Sequence, residues 1–105
     1  MTYALKVSEK DFQRTVVELA LHLGYAVHHT IDQKHYAKRI GPGFPDLTLV
    51  HPQQRRVIFA ELKSSTGKLS EAQKWWADIL SKCPGVEYFL WKPSDINEAE
   101  AALRG

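Results

Sequence analysis

A single cysteine in 105 residues excludes an internal disulfide, and Cys83 has no second thiol at metal-site spacing. No apolar run approaches the roughly 20 residues needed to span a bilayer. Residues 1–10 carry no apolar stretch of the secretory kind. Together these absences set the expectation of a soluble chain in a reducing, intracellular setting with no membrane partner. No repeat, low-complexity tract or internal linker divides the sequence. One hydrophobic core is all that 105 residues support, so a single domain over 1–105 is expected. Acidic residues are scarce in the middle of the chain. Residues 34–74 hold eight Lys/Arg against three acids, and the balance reverses after Pro93 with Asp95, Glu98 and Glu100 against Arg104. The net charge of +2 says little, but a basic middle suits a polyanion as well as it suits a solvated mixed surface.

Hydrophobic spacing and punctuation give the elements. Ser8 is placed as an N-cap, with Phe12, Val16, Leu19, Ala20 and Leu23 at helical spacing and Gly24 as the stop. A first helix over 9–23 follows. Residues 25–30 mix β-branched and aromatic side chains and predict a short strand. Residues 31–45 are a polar, basic loop ending in Gly41-Pro42-Gly43-Phe44-Pro45. Two strands, 46–50 and 56–63, flank a polar turn containing Pro52 and read as a hairpin. Ser70-Glu71-Ala72-Gln73 is a capping box that opens a second helix, with Ala72, Trp76, Ile79, Leu80 and Cys83 as its expected buried stripe. Pro84-Gly85 ends it. A fourth strand over 86–91 and a short helix opened by Pro93-Ser94 complete the chain. The expectation is an α/β fold, αβββαβ with a short C-terminal helix, around a central mixed sheet. The two longer helices pack on that sheet, and the chemical site lies at one sheet edge.

The hairpin carries the chemistry. Side chains alternate faces along a strand, so Phe59, Glu61 and Lys63 share one face. Asp46 begins the partner strand, where hairpin pairing brings it beside Glu61. Two carboxylates held close repel unless a cation lies between them. Their oxygens suit Mg²⁺ or Mn²⁺, which keep several waters and accept phosphate oxygens as further ligands. The backbone carbonyl of Leu62 is a further candidate ligand. Lys63 is placed to orient a water or to stabilise charge on a phosphate. An isolated Glu-x-Lys would be an ordinary surface ion pair. Pro45-Asp46, one hairpin upstream, is what distinguishes this one.

Gly43-Phe44-Pro45-Asp46-Leu47, Phe59-Ala60-Glu61-Leu62-Lys63-Ser64, Gly67-Lys68-Leu69-Ser70 with Gln73, and Leu90-Trp91-Lys92-Pro93-Ser94-Asp95 together resemble the PD-(D/E)xK nuclease superfamily. More narrowly they resemble its VRR-NUC branch, the virus-type replication-repair nucleases, over residues 9–103. The resemblance implies a restriction-endonuclease-like core and metal-dependent hydrolysis of DNA with Mg²⁺ or Mn²⁺, often at branches or flaps. It also implies a bacterial or phage-infected cytoplasm as the setting. Short stand-alone members of the branch are similar to junction-resolving homodimers. Two copies would also double the surface with which so small a chain grips branched DNA.

Carried over residue by residue, the resemblance makes Asp46 and Glu61 metal ligands and Lys63 the motif lysine. Gln73 corresponds to a glutamine near the active site on the following helix, although it is equally the N3 residue of the capping box. Many members of the superfamily add a glutamate from the first helix. At about 100° per residue, Glu9 falls at the edge of the core-facing stripe and Glu18 on the solvent side, so Glu9 is the expected further ligand. Glu9 also suits the N-terminal helix dipole.

Lys34, Lys38 and Arg39, interleaved with His35 and Tyr36, are expected to contact the phosphate backbone together with Lys68, the alternative being a polar loop. His28 and His29 face opposite ways and cannot chelate one metal, so one is expected partly buried and the other near the site. His22 and His51 read as surface residues. Trp76 reads as core, and Trp75 as side packing, a DNA stack or a dimer contact. Two further functions stay open: a catalytically silent module that grips branched DNA, and a scaffold with no salt-dependent DNA binding.

Overall fold

The computed structural model describes residues 7–31 and 42–105. The loop residues Lys34, His35, Tyr36, Lys38 and Arg39 lie outside them. Helix α1 spans Glu9–His22 and is followed by β1 (Ala26–His29), β2 (Leu47–His51) and β3 (Arg56–Leu62). Helix α2 (Glu71–Ser81), β4 (Glu87–Trp91), a 3₁₀ turn (Pro93–Asp95) and α3 (Ile96–Arg104) complete the order.

The four strands form one sheet in the order β1-β2-β3-β4. The pairs β1–β2 and β2–β3 are antiparallel, and β3–β4 is parallel. The hairpin needs only a tight turn, in which Arg55 takes a positive φ of 56°. Parallel strands require a longer crossover, which α2 supplies.

The two faces of the sheet are covered differently. Phe12, Val16 and Ala20, spaced four apart on α1, are fully buried with Leu47, Leu49, Ile58, Ala60 and Leu62 from the strands and Ala99 and Leu103 from α3. Each Leu, Ile, Val or Phe in this layer contributes roughly 1.5–3 kcal/mol through burial. On the opposite face α2 lies against β4. The expected buried stripe of α2 is only half-realised. No α2 residue is fully buried, and Cys83, just beyond its end, is exposed. One helix over the flank of a sheet has no second layer to enclose its outer edge.

His51 is a clear departure from expectation. It is 7% exposed rather than a surface residue. The Gln54 backbone N–H donates to its Nδ1 at 3.1 Å. The ring proton therefore sits on Nε2, which donates to the Leu23 carbonyl at 3.0 Å and satisfies a carbonyl at the end of α1. The ring also meets Tyr25 edge-on at 4.9 Å. Gly24, with φ +97°, makes room, since a Cβ there would stand 2.9 Å from His51 Nε2. His28 and His29 are both exposed, and His22 is exposed as expected.

At the same end of the sheet, Arg56 clamps Glu87 through two parallel contacts of 2.8 Å. It also donates to Tyr25 Oη at 2.8 Å, and Tyr25 donates in turn to the Leu103 carbonyl at 2.7 Å. This chain ties α3 to β3 and β4 well away from Asp46.

Candidate active site

The register fixes where the carboxylates meet. Leu47 pairs with Ala60, so Asp46, one residue earlier, stands opposite Glu61. The ladder with β1 runs on to the same point, because the Thr30 N–H donates to the Asp46 carbonyl at 2.8 Å. Asp46 Oδ2 accepts from the Leu62 backbone N–H at 2.8 Å. In an antiparallel ladder the N–H and C=O of one residue face the same neighbour. The Leu62 carbonyl therefore faces the Asp46 side, at the end of β3 where β2 no longer pairs with it.

Glu61 is 2% exposed. Its pKa is pushed up from the ordinary 4.5 to about 9, first by burial and then by the Asp46 charge and a hydrogen bond shared with Asp46. Lys63 lowers it and Glu9 raises it by their charges. Without a cation, the pair therefore holds a proton where it would otherwise hold two negative charges. A hard divalent cation would take the place of that proton, so the donor set fits Mg²⁺ or Mn²⁺. Among the described residues no three His, Cys, Asp or Glu side chains converge into a cage. Two carboxylates and a backbone carbonyl leave positions for water and phosphate, as Mg²⁺ prefers.

The Gly/Pro-rich segment before Asp46 is positioned by α2. Gly43 has φ +87°, and a Cβ there would lie 2.5 Å from the Ala72 backbone carbon and 2.6 Å from the Gln73 nitrogen. The Pro42 carbonyl accepts from Trp76 Nε1–H at 3.1 Å. Phe44 packs edge-on against Trp76 and Phe59, with ring centres at 4.9 and 5.5 Å. Trp76 is thus half-buried and holds the turn, while Trp75 meets it edge-on at 5.2 Å.

Gln73 both caps α2 and reaches Glu61. Its Oε1 accepts from the Ser70 backbone N–H at 2.8 Å and its own N–H donates to Ser70 Oγ at 3.2 Å, which closes the capping box. Its Nε2 meanwhile donates to Glu61 Oε2 at 3.0 Å. The site therefore sits where the inner strand β2 begins and its antiparallel partner β3 ends, below the start of α2. It is not at a lateral sheet edge, because β4 pairs beyond β3 and makes β3 an inner strand.

Lys63 is half-buried, its stem packed beside Gly67, where a Cβ would meet Lys63 Cβ and Cδ at 3.3 Å. Lys68 is exposed. Glu9 is exposed and reaches Glu61 through its field, whereas Glu18 lies exposed further along α1. Two residues near the site escape sequence reasoning. The Lys63 N–H bonds the Trp91 carbonyl at 3.1 Å, which extends the parallel ladder and sets Lys92 beside Lys63 on the Glu61 face. Tyr88 shares that face too, and both carboxylates act on its hydroxyl. Only the parallel pairing of β4, invisible in its own residues, brings these two to the site.

Comparison with known proteins supports the fold and the family. The sequence model of the VRR-NUC domain family matches residues 7–92. A segment of 43 residues is 44% identical to the Fanconi-associated nuclease 1 homolog of Schizosaccharomyces pombe, covering 41% of this chain and 6% of that much longer protein. A solved VRR_NUC domain superposes with a TM-score of 0.66 at 18% identity, over 88% of this chain and 94% of the other, which supports the fold. The four-stranded mixed sheet with its flanking helices is a restriction-endonuclease-like core, and the chain belongs to the VRR-NUC domain family of nucleases.

Proposed function

We propose that this domain is a divalent-metal-dependent deoxyribonuclease that hydrolyses phosphodiester bonds in branched or flapped DNA, with Asp46 and Glu61 holding the ion. The single observation that carries this is the Asp46–Glu61 pair, in which Glu61 is buried beside the half-buried Asp46 and its pKa is pushed up to about 9. Asp46, Glu61 and the Leu62 carbonyl are the proposed ligands, with Glu9 adding negative charge from α1. A bound Mg²⁺ or Mn²⁺ would polarise the phosphoryl group and lower the pKa of water beside it.

The chain's own residues set the geometry. The Leu62 N–H fixes Asp46, and Gln73 Nε2 fixes one oxygen of Glu61. The Lys63 ammonium stabilises charge developing on the scissile phosphate. Lys34, Lys38, Arg39 and Lys68 grip the flanking backbone, a sequence-independent attraction that weakens with salt. The preference for branches and action as a homodimer belong to the same reading. Similarity to a Fanconi-associated nuclease supports the nuclease activity.

The test is a labelled panel of duplex, single strand, flap, splayed arm and four-way junction, each with Mg²⁺, Mn²⁺ or EDTA. Cutting that needs metal and disappears in Lys63→Ala supports the proposal, and the panel names the substrate. Tight, salt-sensitive binding without cutting favours a silent DNA-binding module. Sedimentation at micromolar concentration tests the dimer.

A further inference from the structure

Tyr88 is the buried polar group that the foregoing chemistry leaves unused. Its hydroxyl is out of reach of solvent and has no hydrogen-bond partner among the described residues. An unsatisfied hydroxyl in an interior destabilises the fold, and phenylalanine would fill the same space without that cost. The position of the hydroxyl is informative. Tyr88 pairs with Phe59 and Leu90 pairs with Glu61, so Tyr88 and Glu61 are diagonal neighbours on one face of the parallel ladder. Diagonal neighbours lie within reach of an aromatic side chain. On Glu61, Oε2 accepts from Gln73 while the carboxylate still has lone pairs to offer.

We propose that Tyr88 is a positioning residue whose hydroxyl donates to the Glu61 carboxylate when the Asp46–Glu61 pair holds a divalent cation. With Gln73 on one side and Tyr88 on the other, Glu61 is held from both flanks at the orientation the ion requires. Hydrogen bonds of this kind are long in a free site and tighten when it is loaded. Burial and the fields of Glu61 and Asp46 push the Tyr88 hydroxyl up to about 12, so it keeps its proton and remains a donor.

This inference rests on the metal-dependent reading above, and its test separates the two. Tyr88→Phe and wild type are compared by thermal melting in EDTA, by calorimetric titration with Mn²⁺, and by cleavage kinetics. The expected result is an equal or higher Tm in EDTA, with Mn²⁺ affinity weakened about 10–100-fold, as is usual for partners of a metal ligand. The kcat should fall with KM for DNA unchanged. Equal Mn²⁺ affinity and equal kcat in the two proteins would overturn the inference while leaving the metal site intact. A lower Tm in EDTA would also overturn it, by showing that the hydroxyl serves the metal-free fold. Absence of Mn²⁺ binding in wild type would instead remove the metal reading itself.

Discussion

Gln73 joins the start of α2 to Glu61. One end of its amide accepts from the Ser70 N–H at 2.8 Å, and the other donates to Glu61 Oε2 at 3.0 Å. A helix cap and a carboxylate anchor are thus one side chain, so capping geometry sets where Glu61 points.

The two duties of Gln73 come apart by mutation. Gln73→Glu keeps an acceptor for Ser70 but loses the amide donor to Glu61. Cleavage should fall about 10–100-fold with little change in Tm. Ser70→Ala should do the reverse, costing about 1 kcal/mol of stability while cleavage is largely kept. Melting curves and single-turnover rates on both variants check this.

Stability of the metal-free protein should fall as pH rises. Glu61 titrates near 4.5 when unfolded and near 9 when folded, so between these values the folded state binds the extra proton. Folding is then opposed by up to about 1.4 kcal/mol per pH unit, with the full cost present above the folded pKa. Denaturant titrations in EDTA from pH 5 to 9 should show this slope. Glu61→Gln should flatten it, and saturating Mn²⁺ should offset it in wild type.

Gly43→Ala should harm both stability and activity. The positive φ of 87° already strains any side chain there, and the new methyl would press on the backbone of Ala72 and Gln73. Because those atoms belong to a helix start, relief requires α2 to move and to carry Gln73 off Glu61. A loss of roughly 1–3 kcal/mol is expected, together with reduced cleavage. The corresponding change at Gly85, where a Cβ meets nothing within 4 Å, should cost backbone strain only and spare activity.

Lys92 should contribute a phosphate contact. It follows Trp91 on the Glu61 face, beside Lys63 at the ends of two parallel strands. Lys92→Ala should weaken DNA binding and reduce the slope of log K against log salt by about 0.9. Lys82→Ala, on the exposed far end of α2 and paired with Asp78, should leave the slope unchanged. Fluorescence anisotropy in EDTA across a salt series measures both.

Local rules made much of this molecule readable. Ser8 and Ser70 cap their helices as their spacing requires, since a cap needs only a side chain and an amide three residues on. The 46–63 hairpin is equally local: alternation places Glu61 and Lys63 on one face, and hairpin pairing sets Asp46 opposite Glu61.

Non-local packing decided the rest. His51 looked like a turn residue in a polar stretch, and only the end of α1, some 28 residues earlier, made it a buried donor. The stripe of α2 promised a core that a helix lying over one flank of the sheet cannot bury. Glu61 was identifiable as a carboxylate of interest, but its raised pKa needs the burial that α2 and β4 create around it. Tyr88 and Lys92 give no local sign of proximity, because a parallel partner is set by a crossover and not by a turn. The sequence by itself therefore determined which groups face the same way along each strand and where each helix begins. The tertiary structure alone decided which of those groups lose water, and burial beside Asp46 is what raises the pKa of Glu61 far above that of an ordinary carboxylate.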